Sequence, residues 1–152
     1  MMKLEDEIKQ TQFINEYQKM VLNVLFTGNW VNMTNVRVLR PYKITPPQYN
    51  ILRILRGQYP NVCTLGTVQS RLLDRMSNGS RLIDKLKANG YVTREMDKVD
   101  RRKIKLLITQ KGLDLLAVLD DVVDGRLSKI ETLTVEEAKV VNDILDRFRD
   151  GY

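Results

Sequence analysis

The sequence SNGSRLIDKLKANGYV, residues 77–92, joins a short amphipathic helix to the first residues of a strand. Its apolar residues recur at helical spacing and predict a buried stripe; they are Leu82, Ile83 and Leu86. The pair Asn89-Gly90 follows the last apolar residue, and Gly often ends a helix. The stretch therefore predicts a helix that starts at residue 77, a stop near residue 90, and a change to the two-residue period of a strand.

The residues after this helix predict a two-stranded hairpin. Residues 91–96 read as one strand, and residues 103–108 alternate with Ile104, Leu106 and Ile108 on one face. The polar residues 97–102 join the two strands. Six cations cluster on this small protrusion: Arg94, Lys98, Arg101, Arg102, Lys103 and Lys105.

Two more short helices are predicted before residue 77. Thr45 precedes two prolines, which is typical of a helix start, and Gly57 ends that helix. Thr64 caps the next helix, whose apolar set is Leu65, Val68, Leu72 and Leu73. Three short helices and a charged hairpin form, in that order, a winged helix-turn-helix, in which the third helix enters the major groove of DNA.

Longer helices are predicted on both sides of this lobe. Residues 4–26 and 29–39 have helical spacing and are separated by Thr27-Gly28, while Thr109 opens a helix and Thr134 with Glu137 forms a capping box for the last one. We therefore expect a mainly α fold with a small β-hairpin wing. Its parts are N-terminal helices at 1–43, a winged lobe at 44–109 and C-terminal helices at 110–152, with both helical ends forming a dimerisation domain.

The composition of the chain limits the classes of function that it can have. The 152 residues carry a net charge of +6, and residues 71–105 hold 11 Lys or Arg against 5 Asp or Glu, whereas the rest of the chain has 14 of each. A partner with dense negative charge should therefore meet this segment. There is no His and one Cys, so the commonest general base and metal ligand are missing. We expect no cofactor, no metal and no membrane span, and a cytoplasmic location.

The exposed face of the helix from residue 77 carries groups that can contact DNA. The positions opposite the apolar stripe are Ser77, Asn78, Arg81 and Lys85. Asn and Arg side chains read base edges, whereas Ser and Lys more often contact phosphates. An ordinary solvated helix face is an equally good interpretation of this helix alone. An arginine on the hairpin suits a narrow minor groove, and Asp100 could orient Arg102 or simply start a turn.

These residues resemble a known family. The stretch from Ser77 to Leu86 followed by Asn89-Gly90-Tyr91-Val92 is similar to the recognition helix and first wing strand of MarR regulators. Asp100-Arg101-Arg102, running on to Leu107-Ile108-Thr109-Gln110-Lys111-Gly112, is similar to the wing motif of that family. With Ile44-Thr45-Pro46-Pro47-Gln48, the resemblance covers nearly the whole chain. Two positions differ: Gly79 replaces a usually bulkier apolar residue, and the turn Lys98-Val99 lacks Pro or Gly.

The resemblance implies a bacterial homodimer that binds a pseudo-palindromic operator in double-stranded DNA and acts as a repressor. By position, the resemblance implies that Ser77, Asn78, Ser80 and Arg81 contact bases or phosphates and that Asp100 pairs with Arg102. The charge pattern of the residues themselves adds further expected contacts: Lys85 on the helix and Arg94, Lys98, Arg101 and Lys103 on the wing. In this comparison Arg102 is the minor-groove arginine. The first and last helices would pair between protomers through Phe13, Tyr17, Val140, Ile144 and Phe148.

A small aromatic ligand that releases DNA is a further implication of the resemblance. Its candidate pocket residues are Phe26, Trp30, Tyr42 and Tyr49, although aromatic residues at helical spacing are more often part of the core. Cys63 is either a structural residue or an oxidation sensor, although it lacks a His neighbour and a second Cys. A nonspecific architectural DNA-binding protein and a small enzyme are the alternative functions.

Overall fold

Helices dominate residues 2–96, 104–127 and 132–150, the parts of the chain that the computed structural model describes. The helices are α1 (Leu4–Ile8), α2 (Glu16–Leu39), α3 (Pro46–Arg56), α4 (Leu65–Arg71), α5 (Gly79–Ala88), α6 (Gln110–Leu127) and α7 (Val135–Asp150). The strands are β1 (Cys63–Thr64), β2 (Val92–Met96) and β3 (Ile104–Ile108), and a 3₁₀ turn spans Arg40–Tyr42. The predicted mainly α fold with a small hairpin wing is confirmed.

The chain divides into two compact units, Met1–Leu116 and Ala117–Tyr152. The core of the first unit lies between α3, α4, α5 and the sheet. Its fully buried residues include Ile51, Leu52, Leu55, Val68, Ile83, Leu86, Leu106 and Ile108. The predicted stripe of α5 is therefore inside, with Leu82 half-buried at its edge. This packing fixes which face of α5 remains outside.

The start of α3 follows the prediction closely. Thr45 caps the helix, and its Oγ1 accepts a hydrogen bond from the Gln48 backbone N–H at 3.4 Å. The Gln48 side chain returns the contact by accepting from the Thr45 backbone N–H at 3.0 Å, which completes a capping box. Gln48 is buried with this polar group satisfied. The helix ends at Gly57, as predicted.

The sheet is antiparallel, in the order β1-β3-β2. Val92 pairs with Ile108 and Met96 with Ile104, so the two predicted strands form the expected hairpin. Strand β1 (Cys63–Thr64) was not predicted from the sequence. Its two residues are a strand only through pairing with β3, where Cys63 lies opposite Leu106.

The N-terminal prediction was wrong in two respects. Residues 4–26 do not form one helix, because Lys9 adopts a left-handed conformation with φ 55° and ends α1. Helix α2 starts after Asn15, whose side chain accepts from the Gln18 N–H at 2.9 Å. Thr27-Gly28 does not interrupt this helix, since a single glycine costs only about 1 kcal/mol in a helix interior and α2 has 24 residues.

Two details between α4 and α5 also differ from the prediction. Leu73, expected to be apolar core, follows the end of α4 and is 90% exposed, while Leu72 is buried. Helix α5 starts at Gly79 with Asn78 as its cap, so Ser77 belongs to the preceding turn.

The second unit contains α7, which starts at the predicted capping box. Thr134 N–H donates to Glu137 Oε2 at 2.7 Å, and Glu137 N–H donates to Thr134 Oγ1 at 3.2 Å. The hydrogen bonds that the Glu137 carboxylate accepts from Thr134, led by that from the backbone N–H, lower its pKa. None of the 16 residues of α7 is buried. Across the described residues, no helix combines the length and apolar character needed to cross a bilayer.

Candidate nucleic-acid interface

Helix α5 presents a polar face because its other side is anchored in the core. Ile83 and Leu86 are fully buried, whereas Asn78, Arg81 and Lys85 are exposed. Together with Ser77 and Leu82, the exposed residues line a shallow groove of about 310 Å³. The predicted recognition residues on this face are thus brought together on one surface, which we call the α5 face (Asn78, Arg81 and Lys85).

Two cations of the α5 face are available to an anionic partner. The side chains of Arg81 and Lys85 make no hydrogen bond or ion pair with another residue that the structure describes. The first turn of α5 contains no acidic residue, so nothing there opposes the partial positive charge of the helix N-terminus. An anionic group such as a phosphate would therefore be stabilised at this end of the helix.

Asn78 has a structural duty besides its exposed position. Its Oδ1 accepts a hydrogen bond from the Arg81 backbone N–H at 3.0 Å, which satisfies a backbone donor at the start of α5. The cap uses the oxygen of the amide and leaves its NH₂ group on the outer surface. A base contact by Asn78 would therefore use the NH₂ group as donor.

Ser77 is held in the turn before α5. Its Oγ donates to Asp74 Oδ2 at 2.7 Å, and Asp74 Oδ1 accepts from the Met76 N–H at 3.0 Å. These bonds to the carboxylate, led by that of Ser77, lower the pKa of Asp74. The Ser77 hydroxyl therefore stabilises the turn in this structure.

Arg94, predicted as a wing contact, joins β2 to α5. Its guanidinium lies 2.5 Å from Asp84 Oδ1 and donates to Ser80 Oγ at 3.1 Å. The Arg94 side chain is only 20% exposed. Arg94 and Ser80, both predicted to contact DNA, are thus hydrogen-bonded to each other. Asp84 is the second partner of Arg94, and sequence reasoning missed its role.

The remaining predicted wing residues lie outside the described residues. They are Lys98, Asp100, Arg101, Arg102 and Lys103. The strands that precede and follow them, β2 and β3, are paired over five positions. The roles of these residues remain predictions.

The residues predicted to line a ligand pocket do not line the groove that the structure shows at the end of α2. Tyr42 and Tyr49 pack against the winged core, and Trp30 is 45% exposed on α2. Phe26 is half-buried on the same helix. A groove of about 760 Å³ lies instead between the end of α2, the 3₁₀ turn, the start of α3 and the turn after α4. Its lining includes Asn32, Asn35, Val36, Arg40, Lys43, Ile44 and Asn50.

The predicted dimerisation residues are found in different settings. Phe13 lies between α1 and α2, not on a helix, and Lys19 Nζ is 5.6 Å from its ring centroid. Tyr17 is 78% exposed on α2. On α7, Val140 and Ile144 are exposed and Phe148 is half-buried. The pairing of any of these with a second protomer remains a prediction.

Cys63 lies in the core, away from the α5 face. Its side chain is buried on β1, and burial raises the pKa of the thiol. A raised pKa leaves little reactive thiolate at neutral pH, which favours the structural interpretation over a sensor. Among the described residues, no group of three His, Cys, Asp or Glu is arranged to bind a metal ion.

Sequence comparison finds similarity to a known family in the same lobe. Residues 42–103, which include α3, α4, α5 and β2, match the MarR family. The HTH-type transcriptional regulator YkoM of Bacillus subtilis (strain 168) is 31% identical over 86 residues, which are 57% of this chain and 54% of YkoM. The chain spans about half the length of the curated relatives it matches.

Solved structures share the fold. A Staphylococcus aureus MepR–DNA complex superposes with a TM-score of 0.77 and 18% identity, covering 93% of this chain and 100% of MepR. Bordetella bronchiseptica BpsR, described in a study of the regulation of its DNA binding by 6-hydroxynicotinic acid, superposes with a TM-score of 0.73 and 20% identity, covering 92% of this chain and 98% of BpsR. The winged lobe therefore matches the MarR family model over residues 42–103, and the solved structures show the same fold over most of the chain.

Proposed function

We propose that this protein is a transcriptional regulator that binds a specific sequence in double-stranded DNA through the α5 face. The observation that carries the proposal is that Arg81, in the first turn, and Lys85, in the last turn, are exposed on a helix whose opposite side is buried in the core. A rigidly held helix with exposed cations can enter the major groove and keep one register there. The DNA complex of MepR, a protein with the same fold, supports this mode of binding.

The charge distribution supports the same partner. Residues 71–105 contain the whole excess of Lys and Arg, and this segment includes α5, β2 and the start of β3. Neutralising phosphates with such cations supplies affinity, while base contacts supply specificity. Arg102 on the wing is proposed to enter the minor groove next to the half-site, with Asp100 orienting it.

We propose that the active species is a homodimer on a pseudo-palindromic operator. The support from this chain is α7, where Val140, Val141 and Ile144 are each at least 42% exposed. Adjacent exposed apolar residues on a helix none of whose residues is fully buried favour a second copy as the partner. A dimer on a promoter would block other proteins from the same DNA, so we propose repression as the mode of regulation.

A small-molecule response is proposed for the groove near α3. The amides of Asn32 and Asn35 and the cation of Arg40 line it together with apolar Val36 and Ile44. This mixture suits a small aromatic acid, because the ring could pack on the apolar side chains and the carboxylate could pair with the guanidinium. The regulation of BpsR by 6-hydroxynicotinic acid supports a ligand of this size.

The function is tested by selection of DNA followed by matched variants. The purified protein would be offered fragments of its own genome, and its affinity for the selected fragment measured by fluorescence anisotropy. Lys85→Ala and Lys87→Ala both remove one exposed lysine from α5. The two side chains point in different directions, because positions two apart in sequence are rotated by about 200° around a helix. We expect Lys85→Ala to weaken binding and to reduce the salt slope by about one unit, and Lys87→Ala to have a smaller effect.

Specificity separates the proposed regulator from an architectural protein. We expect the selected fragment to be preferred over a scrambled duplex by a factor of about 10³ or more at physiological salt. Equal affinity for both duplexes would contradict regulation and favour the architectural function. No DNA binding at all, with identical behaviour of both lysine variants, would remove the α5 face from the function.

The proposed ligand groove has its own matched pair. Arg40 lines the groove, whereas Arg37, one turn earlier on α2, is not among its lining residues. A panel of phenolic and aromatic carboxylates would be screened by melting temperature and by release of DNA. We expect an active compound to lose its effect in Arg40→Ala but not in Arg37→Ala, and equal loss in both variants would contradict this placement.

A further inference from the structure

The side chain of Gln69, on α4, is hydrogen-bonded to the turn that leads into α5. The amide nitrogen Nε2 of Gln69 donates to the backbone oxygen of Arg75 at 3.0 Å and to that of Ser77 at 3.1 Å. Both hydrogens of the amide are therefore used. The same turn is held from within by the Asp74 carboxylate, so the residues immediately before Asn78 have little freedom.

Gly79 makes room for this amide. It is the first residue of α5 and is buried. A Cβ built on Gly79 would overlap Gln69 Oε1, and its next neighbours would be Gln69 Cδ at 3.6 Å and Leu72 Cδ1 at 3.7 Å. Among the described glycines only Gly90 has a positive φ, so residue 79 is glycine because of space and not because of backbone conformation.

The hydrogen bonds of Gln69 affect the position of the α5 face, because they hold the turn from which α5 starts. The two carbonyl groups held by Gln69 belong to residues 75 and 77, and residue 78 is the cap of α5. Arg81 follows the cap by three residues and is bonded to it through its N–H. A shift of the turn would therefore move the cap and, with it, the start of the helix that carries the exposed cations.

We propose that Gln69 is a positioning residue for DNA recognition and that it acts only because residue 79 has no side chain. Gln69 occupies the space of a residue-79 side chain and uses it to fix where Asn78 and Arg81 lie. This inference rests on the proposed DNA-binding function. Gln69 touches no DNA in this account, so its effect should appear in the placement of the α5 face and in sequence discrimination.

A double-mutant cycle tests the pair. The variants are Gly79→Ala, Gln69→Ala and the two combined, with Gly66→Ala as the control, since a Cβ on Gly66 in α4 meets only Thr64 Oγ1 at 3.8 Å. Two quantities would be measured: affinity for the selected and scrambled duplexes, and hydrogen exchange of amides 75–81 in the free protein. Gln69→Glu, which keeps the shape but not the donors, checks that the two hydrogen bonds are responsible.

We expect Gly79→Ala to lower affinity for the selected duplex about tenfold, a readily measured change in free energy, and to lower the preference over the scrambled duplex. Gln69→Ala and Gln69→Glu should both weaken binding and speed exchange of amides 75–81. In the Gln69→Ala background, Gly79→Ala should have no further effect, because the atom with which its Cβ would overlap is absent. Gly66→Ala should bind like the parent protein.

Other outcomes would overturn the inference. One is a Gly79→Ala penalty of the same size with and without Gln69; another is unchanged discrimination and exchange in both single variants. If Gly79→Ala fails to fold, the combined variant decides: its recovery supports the inference, and its failure while Gln69→Ala folds overturns it. If the parent protein selects no DNA, the proposed function fails, and the exchange measurements alone still decide whether Gln69 and Gly79 act as a pair.

Discussion

At the scale of single residues, polar side chains near the α5 face form structural hydrogen bonds and are also expected to contact DNA. Asn78 is the cap of α5 through its Oδ1 and presents its NH₂ group outward. Ser77 and Ser80 have their hydroxyl groups bonded to Asp74 and Arg94. Replacing such a side chain with alanine would change both the stability of the helix and its contact with DNA. Test variants must therefore keep the structural hydrogen bond.

Asn78 provides the clearest case for such a variant. Asn78→Ala should cost about 1 kcal/mol of stability through loss of the cap and should also change preference among operator variants. Asn78→Ser keeps an oxygen that can cap the helix but removes the amide NH₂. We therefore expect Asn78→Ser to retain the parental melting temperature and still to alter base preference at one position of each half-site.

Thermal melting and anisotropy with a set of single-base operator variants would measure both effects. If Asn78→Ser discriminated among these operators as the parent protein does, the amide would have no part in base recognition. Asn78 would then be only a cap.

Sequence reasoning found the exposed residues of α5 but not their partners. The apolar spacing of Leu82, Ile83 and Leu86 identifies the outer face, because periodicity reports which side is buried. Gln69 and Asp84 act across elements, and periodicity carries no information about contacts between elements. The one available signal for Asp84 is that it is an anion within a cationic segment.

At the scale of elements, the hairpin is oriented by α5 as well as by its own strands. Arg94 on β2 reaches Asp84 and Ser80 on α5, so the strand and the helix are fixed relative to each other. Arg94 was predicted as a DNA contact, and the contacts in the structure point to a role in setting the angle of the wing.

Removal of the Asp84 carboxylate tests this role. We expect Asp84→Ala to lower the free energy of unfolding by about 1–2 kcal/mol, as for a charged hydrogen bond at a partly exposed site. It should also weaken DNA binding, although it removes a negative charge. Asp84→Asn, which keeps an acceptor, should recover part of both losses.

Chemical denaturation and anisotropy would measure the two effects, with Asp121→Ala on α6, an exposed aspartate, as the control for loss of one negative charge. Tighter DNA binding by Asp84→Ala would contradict the positioning role. It would indicate that Asp84 acts only through its charge.

The junction between the hairpin and α6 is equally specific. Thr109 Oγ1 donates to the Gly90 carbonyl at 2.8 Å and accepts from the Gly112 N–H at 3.1 Å. Gly112 is buried, and a Cβ there would lie 2.5 Å from the Tyr91 backbone oxygen and 2.7 Å from Ile108 Cγ1. Neither neighbour can move easily, because one is backbone and the other is core.

Gly112→Ala should therefore destabilise the protein by about 1–3 kcal/mol, the usual range for overpacking, despite the better helix propensity of alanine. Gly125→Ala is the control on the same helix, because no described atom lies within 4 Å of a Cβ added there. We expect that variant to be neutral or slightly stabilised. Equal unfolding midpoints for the two variants would contradict the close approach at Gly112.

The elements that sequence reasoning missed depend on tertiary context. The two residues of β1 are a strand only because β3 offers its edge. At the N-terminus the apolar spacing continues through residues 9–15, although Lys9 turns left-handed and Asn15 starts a new helix. The caps at Thr45, Thr64 and Thr134 were predictable, because each bond is made within four residues.

At the scale of the whole molecule, the proposed mode of DNA recognition requires two copies of the chain. A single α5 covers only part of one groove, and a pseudo-palindromic operator requires a two-fold symmetric protein. Helix α7 has the exposed apolar residues that such an assembly would bury. Oligomeric state and operator affinity should therefore change together.

Ile144→Asp tests this coupling, because a carboxylate at a buried interface is strongly unfavourable. We expect sedimentation equilibrium to show a shift from dimer to monomer and affinity for the selected duplex to fall by about tenfold or more. Lys139→Asp changes an exposed polar position of the same helix and should leave the dimer intact. A monomeric parent protein with full operator affinity would contradict the dimer.

The central claim is that two α5 faces read successive grooves on one side of the duplex, and hydroxyl-radical footprinting on the selected fragment tests it most directly. We predict two symmetric protected patches whose centres are about one helical turn apart, roughly 10 base pairs, or a multiple of it, with both patches lost in Arg81→Ala. A single asymmetric patch, or uniform protection of any sequence, would contradict the claim.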